Sequence, residues 1–300
     1  MTIDLLCLGE AMAEIRSPQT DDYSLSFAGD TLNTAIYAKR MMQDGTVAYV
    51  TRIGTDALSA SFRRFVEREE IDTRHFETDG KRNVGIYAVT TDDSGERSFS
   101  YWRASSAARQ LFADDHEIAL PMARIIYLSG ISMAILPPHA RQRLIEALRR
   151  AQNDNAALIA FDSNYRPALW EDAETARDVI RAMWELADIA LPSIDDEMAL
   201  FNESSEQQVI DRFSSRAWHA CAIKRGAKGP VSPSLPDKSH PEFLVEDHVI
   251  DTTAAGDSFN GAYLASLLNG DDEITRLNKA HKLAAKVIGH PGAIIPAGSA

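Results

Sequence analysis

Short apolar runs alternate with longer stretches of helical period along almost the whole chain, and this rhythm leaves few folds open. The apolar runs fall at 3–8, 47–52, 124–129, 158–162, 189–192 and 220–224. Between and after them, helical patterns occupy 31–42, 59–70, 138–152, 174–187, 206–217, 257–268 and 272–288. Strands separated by helices are joined as βαβ units, which predicts an α/β fold with a mostly parallel, doubly wound sheet. No internal repeat is present. Ligands of such sheets sit beyond the carboxyl ends of the strands, so the residues after each run are the ones to search for chemistry.

One stretch breaks the rhythm. Runs at 84–90 and 98–103 flank Asp92-Asp93-Ser94-Gly95, a turn composition, and read as an antiparallel hairpin. In the second run Phe99, Tyr101 and Arg103 share one face, while Ser98, Ser100 and Trp102 share the other. An aromatic hairpin inside an α/β chain suggests a separate small sheet covering a site, to which 14–27 could add strands. Residues 226–243 hold Pro230, Pro233, Pro236 and Pro241 and predict a surface loop, because proline disfavours central strand pairing.

Composition narrows the function classes. The 300 residues are 45% hydrophobic and 25% charged, ordinary for a folded domain, and one domain over 1–300 is expected. Lys+Arg 31 against Asp+Glu 44 leaves −13, which lacks the basic footprint of a nucleic-acid or anionic-membrane binder. An anionic ligand would therefore need positive charge placed locally. Two cysteines, Cys7 and Cys221, give neither a disulfide framework nor metal-ligand spacing. No signal peptide pattern and no apolar run of transmembrane length are found, and a cytoplasmic location is expected.

Five segments after apolar runs could carry chemistry. The first is Asp251-Thr252-Thr253-Ala254-Ala255-Gly256-Asp257, which opens a helix; small residues expose backbone N–H groups to an anion, and Asp257 stands beside them. An acid in a first helical turn is also a common electrostatic device, so the two readings stand level. The second is Phe27-Ala28-Gly29-Asp30-Thr31-Leu32-Asn33, where Asp30 and Asn33 could grip sugar hydroxyls or merely cap a helix. The third, Asp162-Ser163-Asn164-Tyr165-Arg166-Pro167, offers Arg166 as a fork for a carboxylate or phosphate. The fourth, Lys224-Arg225-Gly226-Ala227-Lys228-Gly229, suits a nucleotide's phosphates or a plain basic turn. In the fifth, Ser193-Ile194-Asp195-Asp196-Glu197, acids could hold water around Mg²⁺ or simply start a helix.

Taken in this order, the segments resemble the ribokinase-like (PfkB) sugar kinases. Asp251–Asp257 looks like that family's Asp-Thr-x-Gly-Ala-Gly-Asp signature, and Gly29-Asp30 with Asn33 looks like its N-terminal sugar motif. The likeness is strongest to the branch that phosphorylates 2-keto-3-deoxygluconate, carried by the stretches 29–37, 95–103, 127–136, 164–170 and 249–259. The resemblance implies a three-layer α/β core with a small β-sheet lid, formed here approximately by 12–28 and 83–106. It implies Asp257 as the base for the C6 hydroxyl, with the backbone N–H groups of Ala254, Ala255, Gly256 and Asp257 forming the anion hole. It places substrate at Gly29, Asp30, Asn33, Tyr87, Tyr101, Arg103 and Arg166. ATP would touch Asn164, Ser193, Lys224, Arg225, Gly226, Ala227, Gly229 and His281. It brings in Mg²⁺, with Asp196 reaching it through water, and leaves a monovalent cation open as a further cofactor.

The sequence departs from the family pattern at Ala28 and Ala254, which replace glycines, and at the Asn-x-x-Glu magnesium motif, whose nearest equivalent is Ser193-x-x-Asp196. A kinase of fructose, ribose or the galactose-series keto-deoxy acid, and a non-catalytic sugar-acid sensor, are the competing expectations. A small sheet with free edges and an aromatic face is poorly stable alone, so a homodimer pairing two lids is expected. Size-exclusion chromatography at micromolar concentration should return a dimer; monomer alone would contradict it.

Overall fold

A computed structural model describes residues 2–16, 23–42, 44–91, 97–114, 116–236, 239–243, 245–246 and 248–298. Elements are numbered in chain order. Six strands form the central sheet: β1 (Ile3–Leu8), β4 (Val47–Val50), β9 (Ala123–Ser129), β10 (Leu158–Asp162), β11 (Ile189–Ala190) and β12 (Ala220–Cys221). Their order is β12-β11-β10-β9-β1-β4 and every pairing is parallel. A second sheet, ordered β3-β2-β7-β8, comprises β2 (Met12–Arg16), β3 (Ser24–Ala28), β7 (Gly85–Thr91) and β8 (Arg97–Trp102). A short pair, β5 (Arg52–Ile53) and β6 (Glu77–Thr78), stands apart.

Nine helices are described: α1 (Asp30–Met41), α2 (Ala57–Arg68), α3 (Gly130–Ile135), α4 (Pro138–Asn155), α5 (Ala173–Leu186), α6 (Ile194–Phe201), α7 (Glu206–Ser214), α8 (Ala255–Leu268) and α9 (Glu273–Ile288). The central strands are apolar on both faces because helices cover both. Leu6 and Leu8 of β1 join one buried cluster with residues of α3, α4 and α5; Leu5 and Cys7 join another with residues of α1, α8 and α9. β9 divides in the same way, with Ile126 and Leu128 on the first side and Ile125 and Tyr127 on the second. The result is a three-layer helix–sheet–helix core. None of the described helices is long and apolar enough to cross a membrane.

The expected hairpin is present, with Tyr87 opposite Tyr101 and Val89 opposite Phe99. Its turn at 92–95 lies outside the described residues. Segment 14–27 does supply strands, since β2 pairs with β7 in parallel and with β3 antiparallel. In the proline-rich segment the described residues form no strand; a single bridge joins Ile223 to Val231. Two short helices, α3 and α6, escape the periodicity reading: six and eight residues hold too few turns to show a 3.6-residue repeat.

α1 and α8 carry the features that later meet at the site, and they pack unusually close. A Cβ on Gly261 would lie 2.7 Å from Thr34 O and 2.9 Å from Ala38 N, both backbone atoms that cannot swing aside. Gly261→Ala should thus overpack the interface by about 1–3 kcal/mol. Thermal unfolding should show a melting temperature lower by several degrees; an unchanged one would mean the two helices have slack.

Candidate active site

The carboxyl ends of β1, β9 and β10 converge on the N-termini of α1 and α8, and three aspartates meet there. Asp30 opens α1. Gly29 before it approaches the chain after β1 so closely that a Cβ would sit 2.3 Å from Glu10 O. Asp30 Oδ2 accepts from Ser129 Oγ at the end of β9 and from Asn164 Nδ2 at 2.7 Å. Asp162 ends β10; its Oδ2 accepts from Lys224 Nζ at 2.6 Å and Asn260 Nδ2 at 2.7 Å. Asp257 stands in the first turn of α8, and its Oδ2 accepts from Asn33 Nδ2 at 2.8 Å. Asn33 is itself oriented, since its Oδ1 faces Gly29 N at 3.4 Å. Thr34 Oγ1 lies 3.0 Å from Asp30 O and 3.2 Å from Asp257 O, locking the two helix starts together.

Crowding carboxylates in this way shifts their titration. Burial, then the neighbouring charge of Asp30, push Asp257 up to about 7; Asn33 and Lys224 pull against that rise. Burial likewise raises Asp30, against its hydrogen bonds from Ser129 and Asn164. Asp257 can therefore exchange a proton near neutrality.

The loop before α8 is shaped by Asp251, whose Oδ1 accepts from Thr253 N at 2.8 Å and Oδ2 from Gly292 N at 2.9 Å. Arg16 Nη1 of β2 reaches the same Oδ2 at 3.4 Å. Ala254 then adopts φ +62°, a left-handed conformation that glycine accepts more easily, and hands the chain to α8. The first N–H groups of an α-helix have no intrahelical acceptor. Ala255 N–H is turned to Thr252 O at 3.3 Å, so of the expected cradle it is Gly256 and Asp257 whose amides head the helix.

Beside this helix start lies a cavity of about 440 Å³. Ser193, Lys224, Arg225, Gly226, Ala227 and His281 wall it, with Gly256 and Phe259 beneath. Six of the eight residues expected to touch a nucleotide thus come together. The other two do not line it. Asn164 is bonded to Asp30 instead. Gly229, at φ +74°, lies so close to the Phe243 ring that a Cβ would sit 2.3 Å away; its place is set by packing. Arg225 also serves the turn, donating to Gly229 O at 3.1 Å.

The small sheet presents Tyr87, Phe99 and Tyr101 on one face, with Tyr87 and Tyr101 stacked 5.8 Å apart. Tyr101 is largely exposed, whereas the Tyr87 hydroxyl is buried and bonded to Glu14 rather than open to a ligand. Arg103 pairs with the buried Glu10, which Ser106 also contacts, and Arg103 Nε is buried without a hydrogen-bond partner. Arg166, half exposed, donates Nη1 to Asp196 at 3.2 Å. Asp196, held by that pairing, lies near enough to Asp162 and Lys224 to feel both charges, while Asp195 and Glu246 are the acids that border the cavity. No group of three or more His, Cys, Asp or Glu among the described residues is arranged to hold a metal ion. Asp162, Asn260, Glu10 and Ser129 belong to the constellation but were not singled out from sequence. Asp162, at a strand end within the third segment, and Asn260, one turn beyond Asp257, carried a positional signal.

A model of the pfkB family of carbohydrate kinases matches residues 2–299. The chain belongs to this family. Among curated relatives, the 2-dehydro-3-deoxygluconokinase of Escherichia coli K12 is 37% identical, covering 99% of this chain and 98% of its own length. That of Dickeya dadantii is also 37% identical, covering 98% and 97%. The crystal structure of 2-dehydro-3-deoxygluconokinase from Thermotoga maritima superposes with a TM-score of 0.82 at 22% identity, covering 98% and 96%, a likeness of fold. The ribokinase-like core and the separate small sheet are thus shared with other pfkB kinases.

The raised Asp257 carboxyl has a stability consequence. The folded protein binds this proton more tightly than the unfolded chain, so stability falls as pH rises from the ordinary 3.8 to about 7. Asp257→Asn removes that cost. Its melting temperature should exceed the parent's at pH 8, and the gap should close toward pH 4. A variant less stable than the parent at pH 8 would contradict the burial argument.

Proposed function

We propose that this pfkB kinase transfers the γ-phosphoryl group of Mg-ATP to the C6 hydroxyl of 2-keto-3-deoxy-D-gluconate (2-dehydro-3-deoxygluconate), giving the 6-phosphate. The observation that carries the choice of a sugar acid is Arg103. Its buried Nε lacks a partner, an arrangement that costs about 1–3 kcal/mol and that a carboxylate would relieve. Arg166 offers a second guanidinium, using only Nη1 toward Asp196. A neutral sugar needs neither. The full-length relatives named for this substrate support the same reading.

In this account Asp257 takes the hydroxyl proton as the sugar oxygen attacks phosphorus. The amides at the head of α8 stabilise the charge that develops on the transferring group. Positioning and electrostatics supply most of the catalysis of such transfers. Mg²⁺ is bound by one or two carboxylates plus phosphates and water, which fits the two acids, Asp195 and Glu246, on the cavity wall. Bound there, it would neutralise phosphate charge. The small sheet would act as a lid over the sugar, with Tyr101 and Arg103 on its inner face, and the expected homodimer would cover exposed Leu25 and Trp102.

The test is ADP release from Mg-ATP across 2-keto-3-deoxygluconate, its galactose epimer, fructose, ribose and gluconate. The keto-deoxy acid should be strongly preferred. Arg103→Ala and Arg166→Ala should each raise its KM by roughly 10–100-fold while leaving the KM for ATP nearly unchanged. Turnover only with fructose or ribose would overturn the sugar-acid assignment. Acid binding without turnover of any substrate would favour a sensor.

A further inference from the structure

Three residues far apart in sequence close a polar ring beneath the head of α8. Lys224 Nζ donates to Asp162 Oδ2 at 2.6 Å and to Asn260 Oδ1 at 3.0 Å. Asn260 Nδ2 donates in turn to the same Asp162 Oδ2 at 2.7 Å, and also lies 3.0 Å from the Tyr127 hydroxyl. Each corner comes from a different element: Asp162 from β10, Asn260 from α8, Lys224 from the segment after β12. The Lys224 backbone is fixed too, its N–H donating to Pro192 O at 2.8 Å and its carbonyl accepting from Ile194 N at 2.9 Å. All three side chains are buried.

A buried ion pair is weak support for a fold, because desolvation offsets its attraction and apolar residues of the same volume often do as well. The place of this one suggests another use. A Cβ on Gly256 would lie 3.8 Å from Lys224 Nζ, so the ammonium sits directly against the helix start. Lys224 and Gly256 both border the cavity. An ammonium carries three donors, of which the ring takes two. One remains, beside the helix amides where an anion would be received.

We infer that Lys224 is a catalytic residue whose ammonium contacts the transferring phosphoryl group, and that Asp162 and Asn260 are positioning residues that hold it against Gly256. This rests on the kinase reading above and deepens it. In the step, the bond from the sugar oxygen to phosphorus forms and the bond from phosphorus to the ADP oxygen breaks. The electron pair leaves on ADP, the hydroxyl proton goes to Asp257, and Lys224 stays protonated throughout. Its charge opposes the negative charge that gathers on the phosphoryl oxygens.

The ring also faces Asp257, and its two charges act on that carboxyl in opposite senses. Around Asp257 stand Asp30, Asn33 and Tyr37 of α1, Tyr127 of β9, Asp162 of β10 and Lys224. Asp30 and Asp162 disfavour its ionised form and Lys224 favours it. Removing Lys224 should move the acid limb of the pH–rate profile to higher pH. Neutralising Asp162 should move it to lower pH. A purely structural role would move neither limb in this paired way.

Steady-state kinetics on the full-length protein with Mg-ATP and the preferred sugar test this. Lys224→Met should lower kcat by about 10²–10³ with the sugar KM changed less than about threefold. Asp162→Asn and Asn260→Leu should lower kcat with Lys224 still in place, and the acid limbs should shift as stated. The double variant Lys224→Met/Asp162→Asn removes both charges together and guards against misfolding. It should melt near the parent yet stay as slow as Lys224→Met. A Lys224→Met enzyme within threefold of the parent's kcat, or a double variant that regains activity, would overturn the inference. Failure of the parent itself to turn over any sugar would overturn the kinase reading instead, before any variant is made.

Discussion

The structure depends on one electrostatic arrangement: three carboxylates, Asp30, Asp162 and Asp257, held within one site of a protein whose net charge is already −13. Desolvation and mutual repulsion both disfavour it. What offsets them is specific. Lys224 pairs with Asp162, Asn33 bonds Asp257, and Ser129 with Asn164 bonds Asp30. Asp30 and Asp257 also occupy first turns of helices, where the backbone dipole favours negative charge. Those helix starts can face each other only because α1 and α8 pack at glycine distance at Gly261. The parallel sheet then delivers Ser129 and Asp162 from adjacent strands, in the register that pairs the two residues. Local chain geometry, helix packing and site chemistry are therefore one constraint seen at three scales.

The small sheet is tied to this centre by arginines. Arg16 bridges Glu14 on its own strand and Asp251 in the loop that precedes α8, at 2.5 and 3.4 Å. Arg103, beyond β8, pairs with Glu10 beyond β1. Both links are charged, so a displacement of the sheet would be felt at the loop before α8 and at the end of β1. Were the sheet to close over the sugar as proposed, the same motion would also shape that loop, which suits a transfer reaction that must exclude water.

Much of this was legible in the sequence, for physical reasons. β1 and β10 coincide with the apolar runs 3–8 and 158–162, because strands buried on both faces need unbroken apolar residues. The hairpin was legible through alternation and the turn residues between its strands. Asp257, Gly256 and Asn33 were legible because helix starts advertise themselves with small and acidic residues. The ring was not, since Lys224 is 62 residues from Asp162 and Asn260 is 98 residues from it. Only the topology joins them. Nor could composition tell that Gly229 serves the Phe243 contact, or that Arg166 would engage Asp196 while its neighbour Asp195 borders the cavity with Glu246. Such outcomes turn on which of two adjacent side chains a helix or loop presents, and neighbouring residues of one type carry no signal for it.

The claim that matters most is that the protein environment makes Asp257 a base poised near neutrality. Carbon-13 NMR of protein labelled at aspartate carboxyl carbons, with the Asp257 resonance assigned by its loss in Asp257→Asn, reads this directly. The account predicts a titration midpoint near 7 for that one resonance. A midpoint near the ordinary 3.8 would mean that burial and the Asp30 charge do not act on Asp257 as described, and the central argument would fail.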